Sequence, residues 1–297
     1  MDPLIVDIKR NALDDGPGIR TLVFFKGCPL SCVWCQNPET KSTFQEISYE
    51  REKCIQCSRC VETCELDAIN FSLEYPLIKK KCNLCGNCVE GCQSHALKLV
   101  GKYYKTDELI KIILKDKVFY ENSGGGVTFS GGEPTLHMEY LHELLTQLRK
   151  YQIHSCIETC GYYNREKFNN FILPYIDLIY FDLKLFDLKS HQKYCKAPNK
   201  RILNNFEDLV KNQKINLLPR IPLIPGVTST KANLDNLAKY LKSLGIQKIG
   251  LLPYNPLWIS KSEKIGVEKT YFREEWLNDG EKERIKEIFS EFKFKDF

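Results

Sequence analysis

Eleven of the chain's 14 cysteines lie between Cys28 and Cys92, and only Cys156, Cys160 and Cys195 fall outside that stretch. Thiols that merely fill a core do not crowd in this way; crowded thiols read as ligands, and ligands pin their loops to one geometry. Three groups are visible. Gly27-Cys28-Pro29-Leu30-Ser31-Cys32-Val33-Trp34-Cys35 carries cysteines at a C-x3-C-x2-C spacing. Cys54-x2-Cys57-x2-Cys60-x3-Cys64 and Cys82-x2-Cys85-x2-Cys88-x3-Cys92 repeat one another, with Ala68-Ile69 and Ala96-Leu97 in equivalent places after each run. The stretch from about Tyr49 to Gly101 is therefore an internal repeat. Met1-Asp2-Pro3 lacks the basic and then apolar start of a secretory signal. A reducing, cytoplasmic setting is expected, where clustered cysteines bind metal rather than pair as disulfides.

The repeated spacing is that of bacterial two-cluster ferredoxins, in which the fourth cysteine of each run ligates the other cluster. Cys54, Cys57, Cys60 and Cys92 are accordingly assigned to one 4Fe-4S cluster, and Cys82, Cys85, Cys88 and Cys64 to a second. Glu65 and Gln93 stand where a proline usually follows the fourth cysteine, a departure that touches a turn and not the ligand count. Zinc sites favour two separated cysteine pairs, so the tandem runs speak against zinc there. The Cys28 loop offers thiolates for three corners of a cubane cluster. With the other eight paired among themselves, one iron is left without a protein ligand, and an open coordination position is where a metal site reacts. On this loop alone, a zinc knuckle with a remote fourth ligand is the alternative.

Hydrophobic residues make up 43% of the chain and charged residues 27%, ordinary values for a soluble globular protein. No apolar run approaches the ~18 residues that span a bilayer, so no membrane role is expected. The net charge of +5 is spread among mixed signs, as in Glu281-Lys282-Glu283-Arg284. Such a pattern is a solvated surface and not a nucleic-acid footprint.

Hydrophobic periodicity predicts strands at Leu4–Lys9, Thr21–Lys26, Val127–Ser130, Ile153–Glu158, Leu178–Leu183, Ile215–Ile221 and Lys248–Leu252. Helices are expected at Asp107–Lys117, His137–Lys150, Arg165–Leu173, Asn204–Gln213, Leu234–Leu244 and Glu281–Phe292. Strands alternating with helices imply a parallel sheet with right-handed crossovers. About six βα repeats follow from Thr21, too few for a closed eight-fold barrel. The expected fold is α/β, a partial (β/α)6 TIM-like barrel with an inserted two-cluster ferredoxin-like module. Residues 1–48 form its first part with the cluster loop, 49–101 the insert, and 102–297 the remainder. Gly124-Gly125-Gly126 lacks the phosphate-loop pattern and is expected to be a flexible entry to its strand.

Cys28-x3-Cys32-x2-Cys35, with Trp34 before the last cysteine, resembles the signature of the radical S-adenosylmethionine superfamily. Asp15-Gly16-Pro17-Gly18-Ile19-Arg20, Asn37-Pro38-Glu39 and Ser130-Gly131-Gly132-Glu133-Pro134 narrow the likeness. They are similar to the glycyl-radical-enzyme activating enzymes, whose type family is the relatives of pyruvate formate-lyase activase. Asp182-Leu183-Lys184, Arg220 with Ile224-Pro225-Gly226, and Leu252-Pro253-Tyr254-Asn255 extend the likeness over nearly the whole chain. The insert is similar to that of the longer subgroup.

The resemblance implies an oxidoreductase of anaerobic chemistry with three 4Fe-4S clusters, one of which binds S-adenosyl-L-methionine at its open iron. One electron then cleaves the cofactor to methionine and a 5′-deoxyadenosyl radical, which takes hydrogen from the Cα of a glycine in a partner glycyl radical enzyme. A flavodoxin or ferredoxin-type donor would supply the electron. Cys28, Cys32, Cys35 and Lys184 would be catalytic. Trp34, Cys35, Gln36, Gly131, Gly132, Glu133, Asp182, Leu183, Lys184, Arg220 and Asn255 would bind the cofactor. In that assignment Gly131 and Gly132 let the backbone approach the methionine amino group, Glu133 adds negative charge and Lys184 meets the carboxylate. Asn255 stands where the family has histidine; it keeps a donor and an acceptor but does not titrate.

By themselves Asp182 and Lys184 could form only an ion pair, and Cys156, Cys160 and Cys195 read as ordinary thiols. Glu158-Thr159 is placed for a supporting contact. Two other functions compete: radical chemistry on a small molecule or another peptide, and a pure electron-transfer protein with four ligands on every cluster. Which glycyl radical enzyme would be the partner is not written in the chain.

Overall fold

The computed structural model describes residues 2–212 and 215–297. Gln213, at the end of the expected Asn204–Gln213 helix, lies outside them; within them that helix runs Lys200–Lys211. The strands are β1 Leu4–Ala12, β2 Arg20–Phe25, β3 Glu46–Tyr49, β4 Leu97–Val100, β5 Lys102–Tyr103, β6 Gly126–Gly131, β7 His154–Thr159, β8 Leu178–Asp182, β9 Asn216–Leu223 and β10 Gly250–Pro253.

Eight of them form one sheet in the order β10-β9-β8-β7-β6-β2-β1-β5. From β2 to β10 neighbours are parallel, while β1 runs antiparallel to β2 and β5. The described residues thus hold six parallel strands, the number expected from the sequence. β2 and β6 are buried on both faces, which is why they read as continuous apolar runs and not as alternating ones. Helices cross between successive strands. The one at Met138–Lys150 is typical: Leu141, Leu144, Leu145 and Leu148 are fully buried because they recur at i, i+3, i+4 and i+7.

The expected Asp107–Lys117 helix is two helices, Thr106–Leu114 and Lys117–Ser123. Asp116 breaks it: its buried carboxylate accepts from Arg10 Nε at 2.8 Å and from Thr21 Oγ1 at 2.7 Å. The last helix spans Asp279–Ile288, started by Asn278, whose Oδ1 accepts from Glu281 N at 2.9 Å. Sequence periodicity missed β3, β4, β5 and the short helix Trp258–Lys264.

Gly124-Gly125-Gly126 is a tight contact and not a flexible entry. A Cβ on Gly125 would lie 1.9 Å from the Ile19 carbonyl oxygen, and one on Gly18 2.5 Å from Gly125 N. The two glycine stretches therefore interlock at the N-terminal end of the parallel strands. Arg20 seals that end, fully buried, donating to Thr128 Oγ1 at 2.6 Å and to the Val127 and Pro17 carbonyls.

β3 and β4 pair antiparallel, Tyr49 opposite Leu97 and Glu46 opposite Val100, and the cysteine runs lie in the loop between them. Ile47, Tyr49, Ile69, Leu77, Ala96 and Leu97 make a hydrophobic core separate from that of the large sheet. Among the described residues, no helix is long and apolar enough to cross a membrane.

Candidate active site

The C-terminal ends of the parallel strands lie along one edge, since Phe25 pairs with Gly131, Phe129 with Ile157, Thr159 with Phe181 and Asp182 with Arg220. The Cys28 loop, the Gly131-Gly132-Glu133 turn, Thr159-Cys160 and Leu183-Lys184 all emerge there. This is the edge where parallel sheets carry their ligands.

Backbone bonds hold the Cys28 loop from two sides. Gly27 N and Cys28 N donate to Thr40 O and Lys41 O at 2.7 and 3.1 Å, and Ser31 N and Val33 N donate to Cys195 O and Tyr194 O at 2.9 and 3.0 Å. Trp34 is buried, anchoring the loop in the core. The three loop thiols feel one another. Burial, then the neighbouring Cys32 and Cys28, push the Cys35 thiol up to about 12. The Cys195 thiol, helped against burial by Lys184 and Lys41, draws Cys32 down to about 7. Thiolate is the form that binds iron, so loading a cluster here would release protons.

Gly132 N donates to Phe25 O at 2.9 Å and Glu133 N to Gly27 O at 2.8 Å. A Cβ on Gly132 would stand 2.1 Å from Gly27 O, and one on Gly131 2.5 Å from Phe25 N. Glycine is needed here so that this turn can seat against the strand carrying the Cys28 loop, whatever else it approaches. Glu133 is fully buried. Its Oε1 accepts from Thr135 Oγ1 at 2.7 Å and Thr159 Oγ1 at 2.9 Å, and its Oε2 from Cys160 N at 2.7 Å. Its carboxylate thus ties the turn to the end of β7.

Across the interior, Arg220 lies between two carboxylates: Nη1 is 2.5 Å from Glu158 Oε1 and Nη2 2.8 Å from Asp182 Oδ1. Ser130 Oγ donates to Glu158 Oε2 at 2.5 Å, and Lys184 Nζ to Asp182 Oδ2 at 3.1 Å. Burial works against both cations, but Asp182 beside Lys184, and Asp182 with Glu158 beside Arg220, hold them charged. Against burial, Arg220 and Lys184 in turn keep the Asp182 carboxyl below its usual range. Leu183 is buried, its N–H on Arg220 O at 2.8 Å.

Two expected cofactor contacts already have partners within the chain. Gln36 O and Asn37 Oδ1 accept from Lys261 Nζ at 3.2 and 2.9 Å, and Asn255 Oδ1 accepts from Leu257 N at 2.9 Å in a turn after β10. Sequence reasoning gave no site role to Lys261, Cys160 or Cys195. Their contacts join segments far apart in the chain, and no local spacing carries that signal.

Between β3 and β4, Cys64, Cys82, Cys85 and Cys88 line one cavity, and Cys54, Cys57, Cys60 and Cys92 another. Each cavity takes three cysteines of one run and the fourth of the other. The thiols surround a space instead of converging on a point: among the described residues, no three His, Cys, Asp or Glu side chains could hold a single ion.

A family model described as a 4Fe-4S single cluster domain matches residues 14–203. The trans-4-hydroxy-L-proline dehydratase activating enzyme of Clostridioides difficile is 40% identical, over 99% of this chain and 98% of its own. The chain belongs to the glycyl-radical-enzyme activating enzymes. The choline trimethylamine-lyase activating enzyme of Oleidesulfovibrio alaskensis is 36% identical over 98% of this chain and 96% of its own. A 4-hydroxyphenylacetate decarboxylase activating enzyme of C. difficile is 35% identical over 97% and 93%. In fold, this activating enzyme is similar to a radical SAM methyltransferase from Sphaerobacter thermophilus, with TM-score 0.55 and 13% identity over 99% of this chain and 77% of that one.

Proposed function

We propose that the chain reductively cleaves S-adenosyl-L-methionine and takes hydrogen from a glycine Cα of a partner glycyl radical enzyme. The observation that carries this reading is the Cys28–Cys35 loop at the C-terminal edge of the sheet, beside Lys184, Asp182 and Arg220. Three thiols with no fourth in the loop fit a cluster that keeps one iron open, and the half-buried ammonium of Lys184 fits the carboxylate of an amino acid. When bound, the cluster and S-adenosyl-L-methionine supply a 5′-deoxyadenosyl radical.

The chain's own residues bind, orient and exclude water. Cys28, Cys32 and Cys35 are the cluster ligands. Trp34 and Leu183 keep the floor of the site dry. Asp182, fixed by Arg220, holds Lys184 in one place, so that a carboxylate meets a cation already partly desolvated. Gly131, Gly132 and Gln36 offer backbone groups to the cofactor, and Asn255 a side-chain amide. Glu133 acts by position, keeping the Gly131-Gly132 turn against the cluster loop.

The finer reading extends to the whole chain. Residues 1–48 and 102–297 make a partial (β/α)6 barrel, and residues 49–101 an insert with two further 4Fe-4S clusters. Lining of each insert cavity by cysteines from both runs supports the ferredoxin-like assignment. These clusters relay electrons to the Cys28 loop from a flavodoxin or ferredoxin-type donor in the cytoplasm, or serve to dock that donor.

Anaerobic protein, reconstituted and reduced, is to be given S-adenosyl-L-methionine with and without a candidate glycyl radical enzyme. The expected result is 5′-deoxyadenosine together with a glycyl radical EPR signal on the partner. Cofactor cleavage with no such signal on any partner would favour a different substrate, and no cleavage at all would remove the radical reading. Cys32→Ala is expected to abolish cleavage and Cys57→Ala only to slow it.

A further inference from the structure

Residues 36–39, which follow the last cysteine of the Cys28 loop, are gripped by two lysines from outside the stretch. Lys26, fully buried just after β2, donates from Nζ to Glu39 O at 2.7 Å. Lys261 reaches the same stretch from far along the chain, on the helix Trp258–Lys264. Its Nζ lies 3.2 Å from Gln36 O, 2.9 Å from Asn37 Oδ1 and 3.6 Å from Glu39 Oε1. An ammonium has three donors and no acceptor, and here oxygens of three neighbouring residues surround it. The helix is anchored independently of that contact. Trp258 is buried and its Nε1 donates to Tyr254 Oη at 3.0 Å, and Lys264 Nζ pairs with Glu50 Oε2 at 3.3 Å. Lys261, its side chain 43% exposed, therefore extends to the stretch from a fixed base.

The stretch has little local structure to hold it. Pro38–Thr40 is a single 3-10 turn, and Asn37 before it makes no side-chain cap; the Asn37 amide oxygen goes to Lys261 instead. A donor on Gln36 O fixes the plane of the peptide joining Gln36 to Asn37, because that unit is rigid. We propose that Lys261 is a positioning residue for S-adenosyl-L-methionine, setting this peptide so that the backbone of Gln36 meets the cofactor already oriented. The proposal rests on reading the Cys28 loop as the cofactor site. Groups ordered in advance bind without an ordering cost, so loss of Lys261 weakens cofactor binding and leaves the steps after binding unchanged.

The test compares Lys261→Met, which removes the charge and keeps most of the side chain, with Lys261→Arg and with Lys264→Met on the same helix. Each whole reconstituted chain is measured for iron content, equilibrium binding of S-adenosyl-L-methionine, and 5′-deoxyadenosine formation across cofactor concentrations. Lys261→Met is expected to keep its iron and its maximal rate. Its cofactor affinity should fall about three- to tenfold, a modest loss for a charge-assisted contact because the lysine is half exposed, and KM should rise with it. Lys261→Arg, which still donates to both oxygens, should recover most of the affinity, and Lys264→Met should bind like the wild type. Lys261→Ala carries the same expectation if Lys261→Met does not fold. Unchanged affinity without the lysine would overturn the proposal. Equal weakening in Lys261→Met and Lys264→Met would do so too, by making the helix and not this side chain responsible. Iron lost from a folded Lys261→Met would tie the lysine to the cluster in place of the cofactor, again contrary to the proposal. If the wild type holds its iron and binds no S-adenosyl-L-methionine, the cofactor reading itself has failed, and the proposal with it.

Discussion

Arg220 separates two carboxylates that could not otherwise share the interior. Its side chain is 10% exposed, and those of Glu158 and Asp182 are 13% and 20% exposed. Removing one member of a buried ionic set leaves the others uncompensated, at a cost of about 3–5 kcal/mol. Arg220→Met is therefore expected to lower stability by roughly that amount and to weaken S-adenosyl-L-methionine binding, because Asp182 would no longer hold Lys184. Denaturant unfolding and equilibrium binding measure the two effects; a variant as stable as the wild type would show that the carboxylates escape repulsion by some other route. Asp15 faces the same interior from the opposite end. Burial, then the charge of Glu158, raise its carboxyl from 3.8 to about 6, against the pull of Arg220 and Lys9. Between those values the folded state holds a proton that the unfolded chain has released, so this group's contribution is present below about pH 4 and lost as the pH rises through about 6. Asp15→Asn should thus make stability fall less steeply with pH across that window than it does in the wild type. Urea unfolding at several pH values decides it, and parallel curves for the two proteins would remove Asp15 as the source.

The turn after β6 shows how a short element sets a site. Gly132 lies so close to Gly27 O that an added methyl must displace the turn or the Cys28 loop. Overpacking of this kind costs about 1–3 kcal/mol. Gly132→Ala is expected to reduce iron at the Cys28 loop and cofactor cleavage more than global stability, measured as iron content and thermal unfolding on the same sample. Full iron loading at unchanged stability would mean that the loop absorbs the shift. Much at this scale was legible in the sequence. β2 and β6 to β10 announced themselves as apolar, β-branched runs, and the two four-cysteine runs announced how they would interleave. What stayed hidden depends on distance through space. The buried carboxylate of Glu133 is consumed by Thr135, Thr159 and Cys160, and Cys195 reaches the cluster loop across more than half the chain. The helix Trp258–Lys264 was missed because seven residues carry too little periodicity to read. It nonetheless supports the loop through Lys261.

Across the whole molecule, β3 and β4 are the neck of residues 50–96. They pair in register from Glu46 with Val100 to Tyr49 with Leu97, so the chain enters and leaves the insert as adjacent strands of an antiparallel pair. Ion pairs and packing at and beyond this neck join residues 50–96 to the rest of the described chain. Glu50 binds Lys264 at 3.3 Å, and buried Lys26 binds Glu46 at 2.7 Å on the near side of the neck. A Cβ on Gly266 would lie 2.2 Å from the Tyr75 ring, which marks close packing and not a bond. Since the large sheet has its own core, residues 50–96 can be replaced by Asn-Gly, the two-residue connection that suits an antiparallel hairpin. Ile47, Tyr49 and Leu97, now facing the small core of residues 50–96, would become exposed; Ile47 and Leu97 should be changed to Thr and Lys in the same protein, while Tyr49 suits an exposed strand. The shortened chain is expected to fold and to bind S-adenosyl-L-methionine. Its iron should fall from about twelve to about four per chain, as the loss of two cubane clusters requires. Cofactor cleavage should persist with a strong chemical reductant and fail with a protein donor. Iron that stays near its original level would place the clusters elsewhere, and a chain that folds only with the insert present would make the two cores one cooperative unit.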